Sequence, residues 1–255
     1  MELLSIAEDA ARAAGDVLLE RFGGPRREVR SKSTPTDLVS EADIEAERAL
    51  RGFLAAQRPD DAVLGEEGGD RGAGTSGVRW IVDPLDGTVN FLFGIPQWAV
   101  SVACADGDGL VAGVVLDPLR GEIFAATRDG PPTRDGETVE ASSRDELATA
   151  MVGTGFAYDA EVRAAQAEVA ARLLPRVRDL RRVGSAALDL AWTACGRYDA
   201  YYERGLQVWD RAAGELLCAR AGLELRELGA RGALPAGLLV APAPLAGPLH
   251  ELVGP

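Results

Sequence analysis

Residues 81–88 read IVDPLDGT. Ile81 and Val82, with Trp80 before them, promise a buried strand, yet the strand runs out onto two aspartates, Asp83 and Asp86. Pro84 fixes its own φ and removes an N–H, so the chain is expected to turn sharply there. Asp-Gly is itself a turn signal, and a surface turn with solvated acids is the plain reading. Three neighbours argue beyond it. The apolar residues before Asp83 put the acids at the mouth of a core. Glu66 and Glu67 end the segment DAVLGEE (61–67) by the same device. Asp210 follows Trp209 and opens a predicted helix, where a plain N-cap would need no further explanation. An i, i+3 pair across a turn can aim both carboxylates into one pocket, with the Leu85 carbonyl between them and the Thr88 hydroxyl beyond. Gly87 permits close approach of the backbone. Two carboxylates this close resist ionising together, and a divalent cation removes the conflict.

Working outward, the 255 residues suffice for one large or two modest domains. No apolar run reaches the length of a membrane span. Acids in MELLSIAEDAARAAGDVLLERFG, where a signal peptide would be basic, argue against a leader and for a cytosolic protein. Cys104, Cys195 and Cys218 are odd in number, sit in apolar settings and form no CxxC pair, so they read as reduced buried thiols. Formal charge is 27 − 40 = −13, which speaks against nonspecific binding to nucleic acid or to anionic membranes. Lys32 is the one lysine and His250 the one histidine. Histidine-based catalysis and histidine-rich metal sites are thereby nearly excluded, and any metal must be a hard one held by oxygens.

Helical spacing covers residues 2–22, and a second helix follows Ser40, read as an N-cap with Asp43 at the capping-box position. GGDRGAGTSG (68–77) reads as a flexible surface loop. From Trp98 to Gly130 the pattern is antiparallel strands punctuated by turns. Beyond Ser142 strands alternate with helices at 160–173, 185–195, 208–221 and 244–253. The expectation is an α+β / α/β chain, divided into an N-terminal α+β part (1–145) and a C-terminal α/β part (146–255) that completes the site.

GEE (65–67), DPLDGTVNF (83–91) and WDRAAG (209–214), with LVSEAD (38–43) and GSAALDLA (184–191), resemble in order and spacing the inositol monophosphatase family. The resemblance runs from about residue 5 to residue 245. It implies a layered αβαβα sandwich of the sugar-phosphatase type, with an antiparallel N-terminal sheet and a mixed C-terminal one. It implies two Mg²⁺ ions per site, and room for a third near Glu66. Glu66, Asp83, Leu85, Asp86, Thr88 and Asp210 would be the metal ligands, with Asp83 bridging both ions. Glu66, Thr88 and Asp43 would be catalytic, Thr88 and Asp43 as the dyad that orients and deprotonates the attacking water. Gly87, Thr88, Gly184, Ser185, Ala186, Glu203 and Asp210 would meet the substrate, Glu203 accepting from its ring hydroxyls. Lys32 lies in a segment that approaches the metals in that family. The activity implied is Mg²⁺-dependent hydrolysis of myo-inositol 1-phosphate, with lithium inhibition and a homodimer.

Val89 favours inositol phosphate, because branches acting on nucleotide or histidinol phosphates often carry lysine after the Gly-Thr. Fructose 1,6-bisphosphate and histidinol phosphate remain alternatives, with Arg182 or Arg204 as a second anion site. A Mg²⁺-responsive regulatory protein that kept the fold is an alternative of another class.

Overall fold

The computed structural model describes residues 2–24, 29–31, 38–71 and 74–254. Lys32 lies outside them. The chain opens with α1 (Glu2–Arg21), whose buried stripe is mostly alanine: Ala7, Ala10, Ala11, Ala14 and Leu18. Such small residues let a helix lie close against its neighbours. An antiparallel ribbon, β1 (Val29–Ser31) with β2 (Leu38–Ser40), leads directly into α2 (Glu41–Gln57), which packs on α1.

The first large sheet contains β3 (Ala62–Gly65), β4 (Gly69–Arg71) and β5 (Arg79–Asp86), the last followed by the short helix α3 (Thr88–Phe93). It continues through β6 (Ala99–Asp106), β7 (Gly109–Asp117), β8 (Glu122–Thr127), β9 (Thr133–Arg134) and β10 (Glu137–Thr138), in the order β10-β9-β8-β7-β6-β5-β3-β4. All neighbours pair antiparallel except β3 with β5. The expected loop at 68–77 therefore contains an edge strand. β4 folds back on β3 in a tight hairpin, with Gly69 opposite Gly65.

The second sheet takes β11 (Met151–Thr154), then, after α4 (Ala160–Leu173), β12 (Asp179–Arg181). Next come α5 (Ala186–Ala194), β13 (Ala200–Arg204), α6 (Val208–Arg220), β14 (Glu224–Leu228), β15 (Gly237–Ala241) and α7 (Ala243–Val253). Its order is β12-β11-β13-β15-β14, parallel across the first three strands and antiparallel across the last two pairs.

These elements stack as five layers. Trp80, Val82, Val100 and Val102 face α1 and α2 in one apolar core. Ile81, Ala99, Ala103 and Phe124, on the other face of the same sheet, join Leu188, Leu190, Ala213 and Leu217 of α5 and α6 in a second core. Tyr201, Leu238 and Val240 close that core from the second sheet. Val152, Tyr202 and Leu239 turn outward to α4 and α7 in a third. This is the αβαβα sandwich expected. Cys104 and Cys218 are buried as expected, whereas Cys195, at the end of α5, is half-buried. No helix among the described residues is long and apolar enough to cross a membrane.

Candidate active site

Strand β5 does not stop at Pro84. It runs to Asp86, pairing Asp83 with Ser101 and Asp86 with Ala99. Three steps on β5 thus match two on β6, and the extra residue makes a β-bulge where a sharp turn was expected. Proline lacks the N–H a regular ladder needs, so a bulge is one of the few interior positions that accept it. Gly87 follows at φ 102°, and a Cβ there would lie 3.1 Å from the Gln97 carbonyl oxygen and 3.2 Å from that of Gly184. Only glycine suits that conformation and that space. The chain then enters α3, and the Thr88 hydroxyl lies 2.8 Å from Asp43 Oδ1 and 3.1 Å from the Leu85 carbonyl oxygen. Asp43, 1% exposed, points inward to meet it.

Asp83 is 1% exposed and accepts from the Leu85 N–H at 3.0 Å. Asp86 Oδ2 sits at the start of α5, accepting from Ser185 Oγ at 2.5 Å and from the Ala187 N–H at 2.7 Å. Asp210 joins a capping box on α6 by accepting from the Gln207 N–H at 2.7 Å. Glu203, on β13, accepts from the Tyr201 hydroxyl at 2.7 Å. A Cβ on Gly155 would lie about 2 Å from the Glu203 carboxylate, so the β11 end must be bare there.

Glu66, Asp83, Leu85, Asp86, Gly87, Thr88, Gly184, Ser185, Ala186, Glu203 and Asp210 line one pocket of about 300 Å³. Every residue singled out as a metal or substrate contact is thus gathered there, and Asp43 stands behind Thr88. Glu67 instead gives its backbone N–H to Glu47 of α2 at 2.8 Å. Sequence reasoning passed over Asn90, whose amide reaches the Gln97 and Val183 carbonyls, both at 2.7 Å, and ties the two sides of the pocket together. An asparagine after Gly-Thr-Val gave no signal of that reach. Phe156, Tyr158 and Leu206 add an apolar wall.

The electrostatics are those of crowded acids. Burial, then the charges of Glu66, Asp86 and Asp210, push Asp83 well above the carboxylate range. Burial likewise raises Asp86 to about 6, against the pull of the Ser185 and Ala187 donors. Asp210 is pushed well up by burial and by Asp86. Burial takes Glu203 to about 7. Little positive charge answers them. Arg204, 3% exposed, commits its guanidinium to the carbonyls of Gly229, Pro235, Val253 and Gly254 at 2.8–3.1 Å. It therefore cannot serve as the second anion site the sequence allowed, and Arg182, exposed at the pocket, is the guanidinium left for that role.

Carboxylates, a carbonyl and a hydroxyl form an all-oxygen donor set, which suits a hard divalent cation. Among the described residues no three acidic, histidine or cysteine side chains already close around one point.

A five-layer sandwich with an acid-lined, cation-seeking pocket between its sheets defines the class of metal-dependent sugar-phosphatase-type hydrolases. Residues 1–253 match the model of the inositol monophosphatase family. An inositol-1-monophosphatase of Mycobacterium leprae is 50% identical over 226 residues, covering 85% of this chain and 77% of that one. A protein named Nus factor SuhB from Xylella fastidiosa is 40% identical over 220 residues, covering 86% and 79%. The crystal structure of extragenic suppressor protein suhB from Bartonella henselae superposes with a TM-score of 0.92 at 32% identity, covering 99% and 98%. The chain belongs to the inositol monophosphatase family and is a phosphatase of phosphomonoesters.

Proposed function

We propose that this chain hydrolyses myo-inositol 1-phosphate, with two Mg²⁺ ions held by Glu66, Asp83, the Leu85 carbonyl, Asp86, Thr88 and Asp210. The observation that carries the reading is the crowding of Asp83, Asp86 and Asp210, each raised by burial, in one pocket with Glu66. A cation among such acids offsets their repulsion and favours their charged forms. Bound there, Mg²⁺ supplies Lewis-acid charge to the phosphate oxygens and lowers the pKa of the attacking water.

The chain's own residues do the rest. The Thr88 hydroxyl donates its hydrogen bond to Asp43, which leaves its lone pairs free to accept from a water in the pocket. As that water gives a proton to Thr88, the Thr88 proton passes to the Asp43 carboxylate, which becomes neutral. The backbone at Gly87 and Thr88 faces the phosphate. Gly184, Ser185 and Ala186 form the opposite wall, and Ser185 holds Asp86 in place. Glu203 accepts from hydroxyls of the polyol. The name carried by the Mycobacterium leprae relative supports inositol as the alcohol. The same reading makes the enzyme cytoplasmic, lithium-sensitive and homodimeric. Its formal charge of −13 disfavours nonspecific binding to nucleic acid or to anionic membranes.

Phosphate release measured as kcat/KM over inositol 1-phosphate, fructose 1,6-bisphosphate and histidinol phosphate, with Mg²⁺ titrated, tests this. Inositol 1-phosphate should lead the panel. Turnover of another ester without it would sink the substrate, and turnover of none would favour a regulatory role. Asp83→Asn should cost more than about a hundredfold in kcat, beyond what loss of a supporting contact costs.

A further inference from the structure

Helix α2 carries a polar stripe at four-residue spacing: Asp43, Glu47 and Arg51. Asp43 serves Thr88. Glu47 and Arg51 look in sequence like a surface pair at i, i+4. They are not on the surface. Glu47 is 3% exposed, although charged residues are seldom buried without strong partners.

Its partners are three. Oε2 accepts from the Glu67 N–H at 2.8 Å, and Oε1 accepts from the Gly68 N–H at 2.8 Å and from Arg51 Nε at 2.6 Å. The carboxylate thus grips two successive backbone amides of the β3–β4 turn. Arg51 grips the same hairpin by its carbonyls, donating to Val63 O at 3.1 Å and Gly69 O at 2.7 Å. The approach leaves no room for a side chain at two positions of the hairpin. A Cβ on Gly65 would lie 2.7 Å from Arg51 Nη2, and one on Gly68 would lie 2.5 Å from Glu47 Oε1. Gly65 and Gly68 are therefore set by the pair beneath them, whereas Gly69 is set by its own backbone, at φ 62°.

Glu66 is the residue enclosed by these contacts. Val63 before it and Glu67, Gly68 and Gly69 after it are fixed to α2, while Glu66 itself lines the acid pocket with Asp83. We propose that Glu47 and Arg51 are positioning residues, which hold the β3–β4 turn so that the Glu66 carboxylate stands at the pocket. One helix would then hold two separate parts of the site: the Thr88 hydroxyl through Asp43, and Glu66 through Glu47. The inference rests on the reading of the pocket as a Mg²⁺ site.

Glu47→Gln keeps the volume but replaces one acceptor with a donor and removes the charge facing Arg51. Mg²⁺ titrated calorimetrically into the parent and the variant should show the dissociation constant raised about tenfold to a hundredfold. The Mg²⁺ concentration for half-maximal activity should rise in step, while kcat at saturating Mg²⁺ stays within a few-fold. In a Glu66→Gln background the same change should have little further effect, because the two residues act through one another. An equal loss with or without Glu66 would show a merely structural role and overturn the inference. So would an unchanged dissociation constant in Glu47→Gln while the parent binds Mg²⁺ normally. No binding by the parent would overturn the Mg²⁺ reading itself, and this one with it. If Glu47→Gln does not fold, Arg51→Lys decides, since it keeps the charge and loses the fork. A dissociation constant within twofold of the parent would then overturn the proposal.

Discussion

At Glu203 burial and a neighbouring acid act in the same direction, and the effect can be read as stability. Its pKa rises from an ordinary 4.5 to about 7, chiefly through burial. Below pH 4.5 the group is protonated in folded and unfolded chains alike and costs nothing. Between 4.5 and 7 the folded chain holds a proton that the unfolded chain releases, so stability falls as pH rises. In metal-free protein, Glu203→Gln should therefore melt higher than the parent at pH 8 and equally near pH 4. The gain at pH 8 is about 1–3 kcal/mol, toward the low end because the carboxylate is only half-buried. Thermal melts at the two pH values check it, and a gain that does not vary with pH would refute it. Thr88 offers a kinetic counterpart. Thr88→Val removes the proton given to Asp43 at nearly constant volume and should lower kcat by about 10²–10⁴ with little change in KM. Thr88→Ser should keep most of the rate; equal rates in the two variants would remove the hydroxyl from the chemistry.

Among the elements, the junction of β5 with α3 depends on Gly87. Ala at that position would meet two carbonyl oxygens at 3.1–3.2 Å in a left-handed conformation. Gly87→Ala should cost about 1–3 kcal/mol by denaturant titration, and should disturb Thr88, the next residue. A stability within error of the parent would mean the turn re-forms another way. The same stretch marks where sequence reading stops. IVDPLDGT announced a strand end, and its acids were legible because carboxylates at the end of an apolar run have few structural reasons. The bulge was not legible, since one extra residue is defined only by the register of the partner strand. Strands β4 and β14 were missed because GDR and ELREL are short and charged, as edge strands often are. Glu47 was passed over because an i, i+4 Glu–Arg pair looks the same on paper whether solvent or a hairpin lies above it.

For the molecule as a whole, the two halves meet in a shared core. The face of the first sheet that carries Ile81, Ala99, Ala103 and Phe124 is covered by α5 and α6, which lie beyond the expected boundary at residue 145. We propose that this boundary separates sheets and not folding units. A fragment of residues 1–145 should then expose that face, bind hydrophobic dye and melt without cooperativity. A cooperative melt with a native-like near-ultraviolet spectrum would make it a true domain. The helical layer also brings Asp86, Ser185 and Asp210 into one place, with Asp86 on the first sheet and the others on α5 and α6. Sequence order gave the alternation of elements that predicts such stacking. It did not show that α5 and α6 serve both sheets at once.

The bulge in β5 also settles a question of parity. Along a regular strand side chains alternate, so residues 83 and 86 would face opposite sides of the sheet. Ile81 and Asp83 face α5 and α6, and strict alternation would send Leu85 after them and Asp86 toward α1. Instead Leu85 is packed in the α1–α2 core and Asp86 reaches Ser185. One inserted residue has exchanged the two. Straightening the bulge with every residue kept would leave a more even ladder, with a leucine where the cation should be and a carboxylate driven into an apolar core. The proximity of Asp83 and Asp86 therefore follows from a single count along the chain being odd.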